Sequence, residues 1–251
     1  MRFLRLLLPV LVVALCAVAP ASAIVGGSSD GNAHPYVGLV RDGTGACSGT
    51  LVSRTVFVTA AHCFADSAAV LVSFDPAGFS NPSRTEFSGT FHADPQFCLQ
   101  CGNGVPRFDT HDVAVVVLAA PVPASVVPRL ASLPSVDRSQ RLGNRASVSV
   151  LGYGIQSFTR GGGSKPQPAS GGTRAIATTP LGNAGTSVSS MLLQIPPAGG
   201  ICSGDSGGPV LSGDTVLGVN AFFASTYCDG TAYAYRLDTA DELAFVRSFL
   251  N

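Results

Sequence analysis

An all-β fold is predicted, and three observations predict it. Short runs rich in Val, Leu, Ile, Phe and Thr alternate with Gly, Pro, Asn and Asp along the chain, the pattern of strands joined by turns. Helical periodicity is scarce before the C-terminal end. With its leader set aside, the 251-residue chain is long for one compact domain and suits a double barrel sharing a single cleft.

The first 23 residues read as a leader. Arg2 and Arg5 form a basic start, Leu6 to Val18 an apolar core, and Ala21-Ser22-Ala23 a small-residue cleavage site, which together make a secretory signal peptide. The apolar run is short for a membrane span and ends in Pro20. A secreted, extracellular protein is expected, with no membrane contact once the signal is removed.

A first barrel is expected over about 24–122. Its candidate strands are Leu39-Val40, Gly49 to Ser53, Val56 to Ala60, Ala69 to Phe74, Thr85 to Phe91 and Val113 to Leu118. The unbroken run Val115-Val116-Val117 suits a strand buried on both faces. Pro121-Val122-Pro123 starts a connector to a second barrel over about 123–237. Candidate strands there are Ala146 to Gly152, Thr173 to Thr179, Met191 to Ile195, Pro209 to Leu211, Val216 to Ala221 and Ala232 to Leu237. The fold class is therefore two six-stranded antiparallel β-barrels with a site in the cleft between them. Gly161 to Gly172 is Gly-, Ser- and Pro-rich and predicts a mobile surface loop. A helix closes the chain over about 239–250. Thr239 and Glu242 have capping-box spacing, and Leu243, Val246, Phe249 and Leu250 share one face.

Charge is balanced, with 15 basic and 15 acidic side chains, so neither a nucleic-acid face nor an acidic tail is indicated. Cys16 leaves with the leader, and the other six cysteines are an even set in an oxidising destination. Cys98-x-x-Cys101 lacks the βαβ setting of a redox motif. A zinc site with His92 or His111 is one reading, and from spacing alone the six cysteines allow 15 pairings; His34, His92 and His111 are expected on loops. No Asp/Glu cluster has metal-binding spacing.

The chemistry concentrates in Gly204-Asp205-Ser206-Gly207-Gly208-Pro209, with Thr59-Ala60-Ala61-His62-Cys63 well upstream. A serine hydroxyl is a poor nucleophile unless an imidazole takes its proton, and the imidazole needs a buried carboxylate to orient it. Asp112, just before the apolar run that follows His111, is the best carboxylate; Asp109 is the runner-up. Gly204-x-Ser206-x-Gly208 also satisfies the nucleophile elbow of α/β-hydrolases. That fold needs a helix after the serine and its partners downstream. Here Pro209 follows, and His62 and Asp112 both lie upstream.

With Ile24-Val25-Gly26-Gly27, these segments resemble the trypsin/chymotrypsin-like serine endopeptidases, from Ile24 almost to the C-terminus. The resemblance implies a catalytic triad of His62, Asp112 and Ser206 and an oxyanion hole from the N–H groups of Gly204 and Ser206, each donor worth roughly 3–4 kcal/mol in such sites. It implies that the amine of Ile24 pairs with Asp205, and the expected signal cleavage after Ala23 would create that amine directly. It selects the disulfides Cys47–Cys63 and Cys202–Cys228, leaving Cys98–Cys101. Because His62 must be neutral at rest, activity should rise through about pH 6–7.

Counting back from Ser206 as in the family, the substrate pocket falls on Gly200 and Ile201, with walls Ala221, Phe222, Phe223 and Ala232. No charge stands at its base, so cleavage after Arg or Lys is disfavoured; Phe223, where glycine is common, favours a small or apolar P1 side chain. The resemblance further implies a monomer acting on protein or peptide substrates and open to protein inhibitors; no cofactor or metal is assigned, and the balanced charge gives no reason to expect nucleic acid. The competing class is a homologue that has lost catalysis and acts as a binding protein. Such homologues usually lack a triad residue, and none is lacking here.

Overall fold

The computed structural model describes residues 24–99, 101, 111–143, 145–159, 165–182 and 192–250. The expected leader, Asp109, Met191 and positions 161–164 lie outside them. Apolar residues drive both halves into strands. The strands are β1 (Ser28–Ser29), β2 (Val37–Arg41), β3 (Ala46–Leu51), β4 (Val56–Thr59), β5 (Ala69–Ser73), β6 (Phe87–Ala93), β7 (Ala114–Leu118), β8 (Ser147–Gly152), β9 (Ile155–Thr159), β10 (Gln167–Gly171), β11 (Ala175–Pro180), β12 (Leu192–Ile195), β13 (Pro209–Ser212), β14 (Thr215–Phe223) and β15 (Ala232–Arg236).

The first half closes into a barrel, β2-β3-β4-β7-β6-β5, because β2 pairs with both β3 and β5. Closure removes the exposed strand edges that invite aggregation. Val37, Leu51, Phe57, Val72, Phe91 and Val116 fill its interior, all completely buried. The second half is a seven-stranded sheet, β1-β11-β8-β13-β14-β15-β12. Six of its strands are the expected ones. The Gly182 N–H donates to the Gln194 carbonyl (2.8 Å), so the chain leaving β11 meets β12 and the sheet curls back on itself. The seventh strand, β1, comes from the N-terminal segment and was not foreseen, because Ser28-Ser29 carries no apolar pattern.

The halves are joined by polar groups with few alternatives. Ser48 of β3 donates its hydroxyl to the Gly204 carbonyl (2.8 Å) and accepts from the Tyr153 N–H (2.9 Å). Arg174 is 1% exposed. Its guanidinium donates to Asp30 (2.9 Å), the Val37 carbonyl (2.8 Å) and the Gly31 carbonyl (2.8 Å), which locks the N-terminal segment and β2 to the second sheet. Removing it would leave the buried Asp30 with His34 as its remaining partner (2.6 Å), a loss of about 3 kcal/mol.

Three expectations need correction. Part of the Gly-rich stretch is a strand: Gln167 pairs opposite Thr159 in a two-stranded ribbon of β9 and β10. Backbone pairing and a Ser157–Ser170 hydroxyl contact (2.7 Å) order it while its side chains stay largely exposed, so hydropathy alone could not reveal it. His92 lies within β6, stacked on Phe249 (5.4 Å), rather than on a loop. The C-terminal helix spans Ala240–Arg247 and buries Leu243 and Val246 as expected, but Thr239 makes no side-chain capping bond. Glu242 turns inward to His111 instead (2.8 Å). Phe249 and Leu250 lie beyond the helix, Leu250 exposed.

Candidate active site

Strand pairing brings His62 to Asp112. β4 and β7 are antiparallel with Thr59 opposite Ala114, so residues following Thr59 meet residues preceding Ala114. After β4 the chain tightens into a 3-10 turn, Ala61–Cys63, that carries His62. The Cys47–Cys63 disulfide ties this turn to β3. Asp112 is 2% exposed, and both its oxygens face His62. Oδ1 accepts the His62 backbone N–H (2.9 Å) and Oδ2 lies 2.8 Å from ring Nδ1. A carboxylate in that position keeps the proton on Nδ1 and makes Nε2 the basic nitrogen.

Ser206 sits in a turn held from several sides. Cys202–Cys228 anchors its start. The N–H groups of Asp205, Gly207 and Gly208 are bonded to the carbonyls of Cys202, Asn220 and Asp205 at 3.0, 2.7 and 2.9 Å. The Ser206 carbonyl accepts the Ser48 N–H (2.8 Å). Among the described residues the N–H groups of Gly204 and Ser206 have no acceptor, as an oxyanion hole requires. Gly207 has φ 78°, and a Cβ there would meet the Thr59 hydroxyl, the Ser48 carbonyl and the Ala60 nitrogen. Thus the residue after Ser206 is pressed against the residues just before His62. Gly207→Ala is expected to lose about 2–4 kcal/mol of stability from strain and overpacking, read as a fall in the urea midpoint. An unchanged midpoint would contradict this close approach.

Asp205 is fully buried, accepting the N–H groups of Gly154 (2.8 Å) and Cys202 (3.0 Å). Burial pushes its carboxyl up to about 7, against the pull of those two bonds. Among the described residues no cationic side chain pairs with it. Ile24 is fully buried in one cluster with Ile201, and the Val25 N–H donates to the Gly200 carbonyl (2.9 Å). The start of the described chain therefore packs on the segment leading into Asp205.

The residues expected to line a substrate pocket divide between the two core clusters. Ile201 and Ala232 are buried in the cluster that holds Ile24, and Phe223, opposite Ala232 in the sheet, packs against it. A register shift between Asn220 and Phe222 leaves Ala221 as the extra residue of a bulge. Phe222 stacks on Tyr233 (4.8 Å, 19°) and packs on the other core cluster. Gly200 has φ 56°, and a side chain there would collide with the Val25 backbone. Residues that sequence reasoning missed are Ser48, which touches both Gly204 and Ser206, and Asn220, whose carbonyl holds Gly207. Neither sits in a motif whose spacing carries a signal.

The cysteines pair as Cys47–Cys63, Cys98–Cys101 and Cys202–Cys228. Among the described residues no helix is long and apolar enough to cross a membrane. The Trypsin family model matches residues 23–239. Trypsin delta of Drosophila melanogaster is 27% identical over 90% of this chain and 87% of its own length. Neutrophil elastase of Mus musculus is 29% identical over 81% of this chain and 74% of its own. Trypsin epsilon of Drosophila erecta is 30% identical over 78% and 75%. With a two-half β architecture around these turns, the chain belongs to the trypsin family of serine endopeptidases.

Proposed function

We propose that the protein is secreted and hydrolyses peptide bonds through Ser206, His62 and Asp112, with small or apolar residues preferred at P1. The observation that carries this reading is the double grip of Asp112 on His62, at 2.9 and 2.8 Å, beside a serine turn bonded to the neighbouring strand. As Ser206 Oγ bonds to the scissile carbonyl carbon, its proton passes to His62 Nε2. The carbonyl oxygen takes the negative charge and meets the N–H groups of Gly204 and Ser206. When the C–N bond breaks, His62 returns the proton to the amine; water then repeats the sequence on the acyl-enzyme and releases the acid.

Substrate choice follows from burial. A guanidinium entering beside Gly200, Ile201, Phe223 and Ala232 would find no carboxylate, and an unpaired buried charge is costly. Phe223 shortens the pocket. On a p-nitroanilide series, Ala, Val or Leu at P1 should exceed Arg by at least about 100-fold in kcat/KM, and Phe223→Gly should shift preference toward Phe. A preference for Arg would overturn this assignment.

Maturation belongs to the same reading. Removal of residues 1–23 as a signal would leave Ile24 as the first residue, with its ammonium available to Asp205, so secretion itself yields the active form without a separate propeptide. Mass analysis of the secreted N-terminus tests this; a mature end other than Ile24 rejects it. The mature chain is read as a monomer, with protein inhibitors as further partners.

A further inference from the structure

A cluster of ionisable groups lies directly behind the catalytic carboxylate and takes no part in the reaction above. Asp94 follows β6, His111 precedes Asp112, and Glu242 stands in the first turn of the C-terminal helix. Far apart in the chain, they each offer one ligand atom, and these atoms lie within 4.8 Å of one another. Asp94 is 4% exposed and Glu242 only 1%. His111 is partly open to solvent, which provides an entry path.

Two features of the cluster are unexplained by protein packing alone. Glu242 Oε2 is buried and, among the described residues, has no hydrogen-bond partner; an unmet buried carboxylate oxygen is a substantial loss. The charge is also lopsided. The carboxylates of Asp94, Asp241 and Asp112 all stand near Glu242, with Tyr235 beside it. His111 Nδ1 is 2.8 Å from Glu242 Oε1 and 4.0 Å from Asp241 Oδ2, so one imidazole faces several acidic groups. A bound cation would answer both features at once. One Asp94 oxygen is already fixed by the Gln96 N–H (2.7 Å), which orients that carboxylate as supporting hydrogen bonds orient metal ligands.

We propose that Asp94, His111 and Glu242 form a binding site for a divalent transition-metal cation of the zinc class, with water completing the coordination. One imidazole and two carboxylates are a three-ligand set that such an ion accepts with an open fourth position. Calcium and magnesium favour oxygen-only shells. Ligand atoms around zinc at about 2.0–2.2 Å must lie roughly 3.3 Å apart, so the looser contacts must close and the 2.8 Å His111–Glu242 contact must open slightly, adjustments that side-chain rotation can supply. The site requires no assumption about which bonds the enzyme cleaves.

Zinc chloride titrated calorimetrically into chelator-treated, active-site-intact protein should show one saturable site with Kd below about 10 µM. It should bind at least about 10-fold more weakly in Glu242→Gln and in His111→Asn, while His62→Ala retains it. Cobalt(II) substitution of the unmutated protein is the second measurement, immune to any folding defect of the variants: visible d–d bands without a sulfur charge-transfer band are expected. No saturable zinc binding, binding undiminished by Glu242→Gln and His111→Asn, binding lost with His62→Ala, or tighter calcium than zinc would each overturn the site.

Discussion

Ser206→Ala, or His62→Ala, is expected to lower kcat on a good peptide substrate by about 10⁶-fold, with KM changed little. The size follows from the interdependence of the two residues: without the hydroxyl no acyl-enzyme forms, and without the imidazole nothing removes the proton. The double variant should be hardly worse than either single one, since the parts act as a unit. Residual activity over water should remain, because Gly204 and Ser206 still present backbone N–H groups to the oxyanion. Asp112→Asn should cost on the order of 10⁴-fold, since the amide can no longer hold the Nδ1 proton toward it and the wrong tautomer results. Additive losses in the double variant would show that the residues work separately.

The second large effect concerns Asp205 and the start of the chain. With no amine available, the Asp205 carboxyl titrates at about 7, raised by burial from 3.8. The folded state then binds a proton that the unfolded chain has released, so this contribution is fully present below about pH 4 and is lost as pH rises through about 7. Three pKa units correspond to roughly 4 kcal/mol, a large share of an ordinary domain's stability. A form carrying one extra residue before Ile24, with Ser206→Ala to prevent self-digestion, should therefore lose urea stability between pH 4 and 7. The form beginning at Ile24 should not, because a buried ammonium favours the ionised carboxylate. Asp205→Asn should flatten the slope of the extended form and remove about 3–5 kcal/mol from the mature one. Equal pH profiles for the two forms would contradict the pairing.

Strands with apolar runs, such as Val115-Val116-Val117, were legible in the chain because burial on both faces demands that composition. β1 and β10 were not, since they are ordered by backbone pairing with largely exposed side chains, and β9 is half-buried around the polar Gln156. His62, Asp112 and Ser206 could be named because each sits in a motif, and the β4–β7 register supplies the reason that two of them meet. Thr239 and Glu242 misled: spacing suggested a local cap, whereas Glu242 finds His111 across 131 positions. Contacts of that kind depend on tertiary packing, which also hides the roles of Ser48 and Arg174 from any local pattern.

Labelling with a fluorophosphonate, followed by peptide mapping, tests most directly whether the serine is activated by its neighbours. The folded protein should be modified stoichiometrically at Ser206 alone, and the reaction should vanish in His62→Ala and after denaturation. A native, folded protein that resists the probe, or one labelled equally well without His62, would contradict the catalytic account.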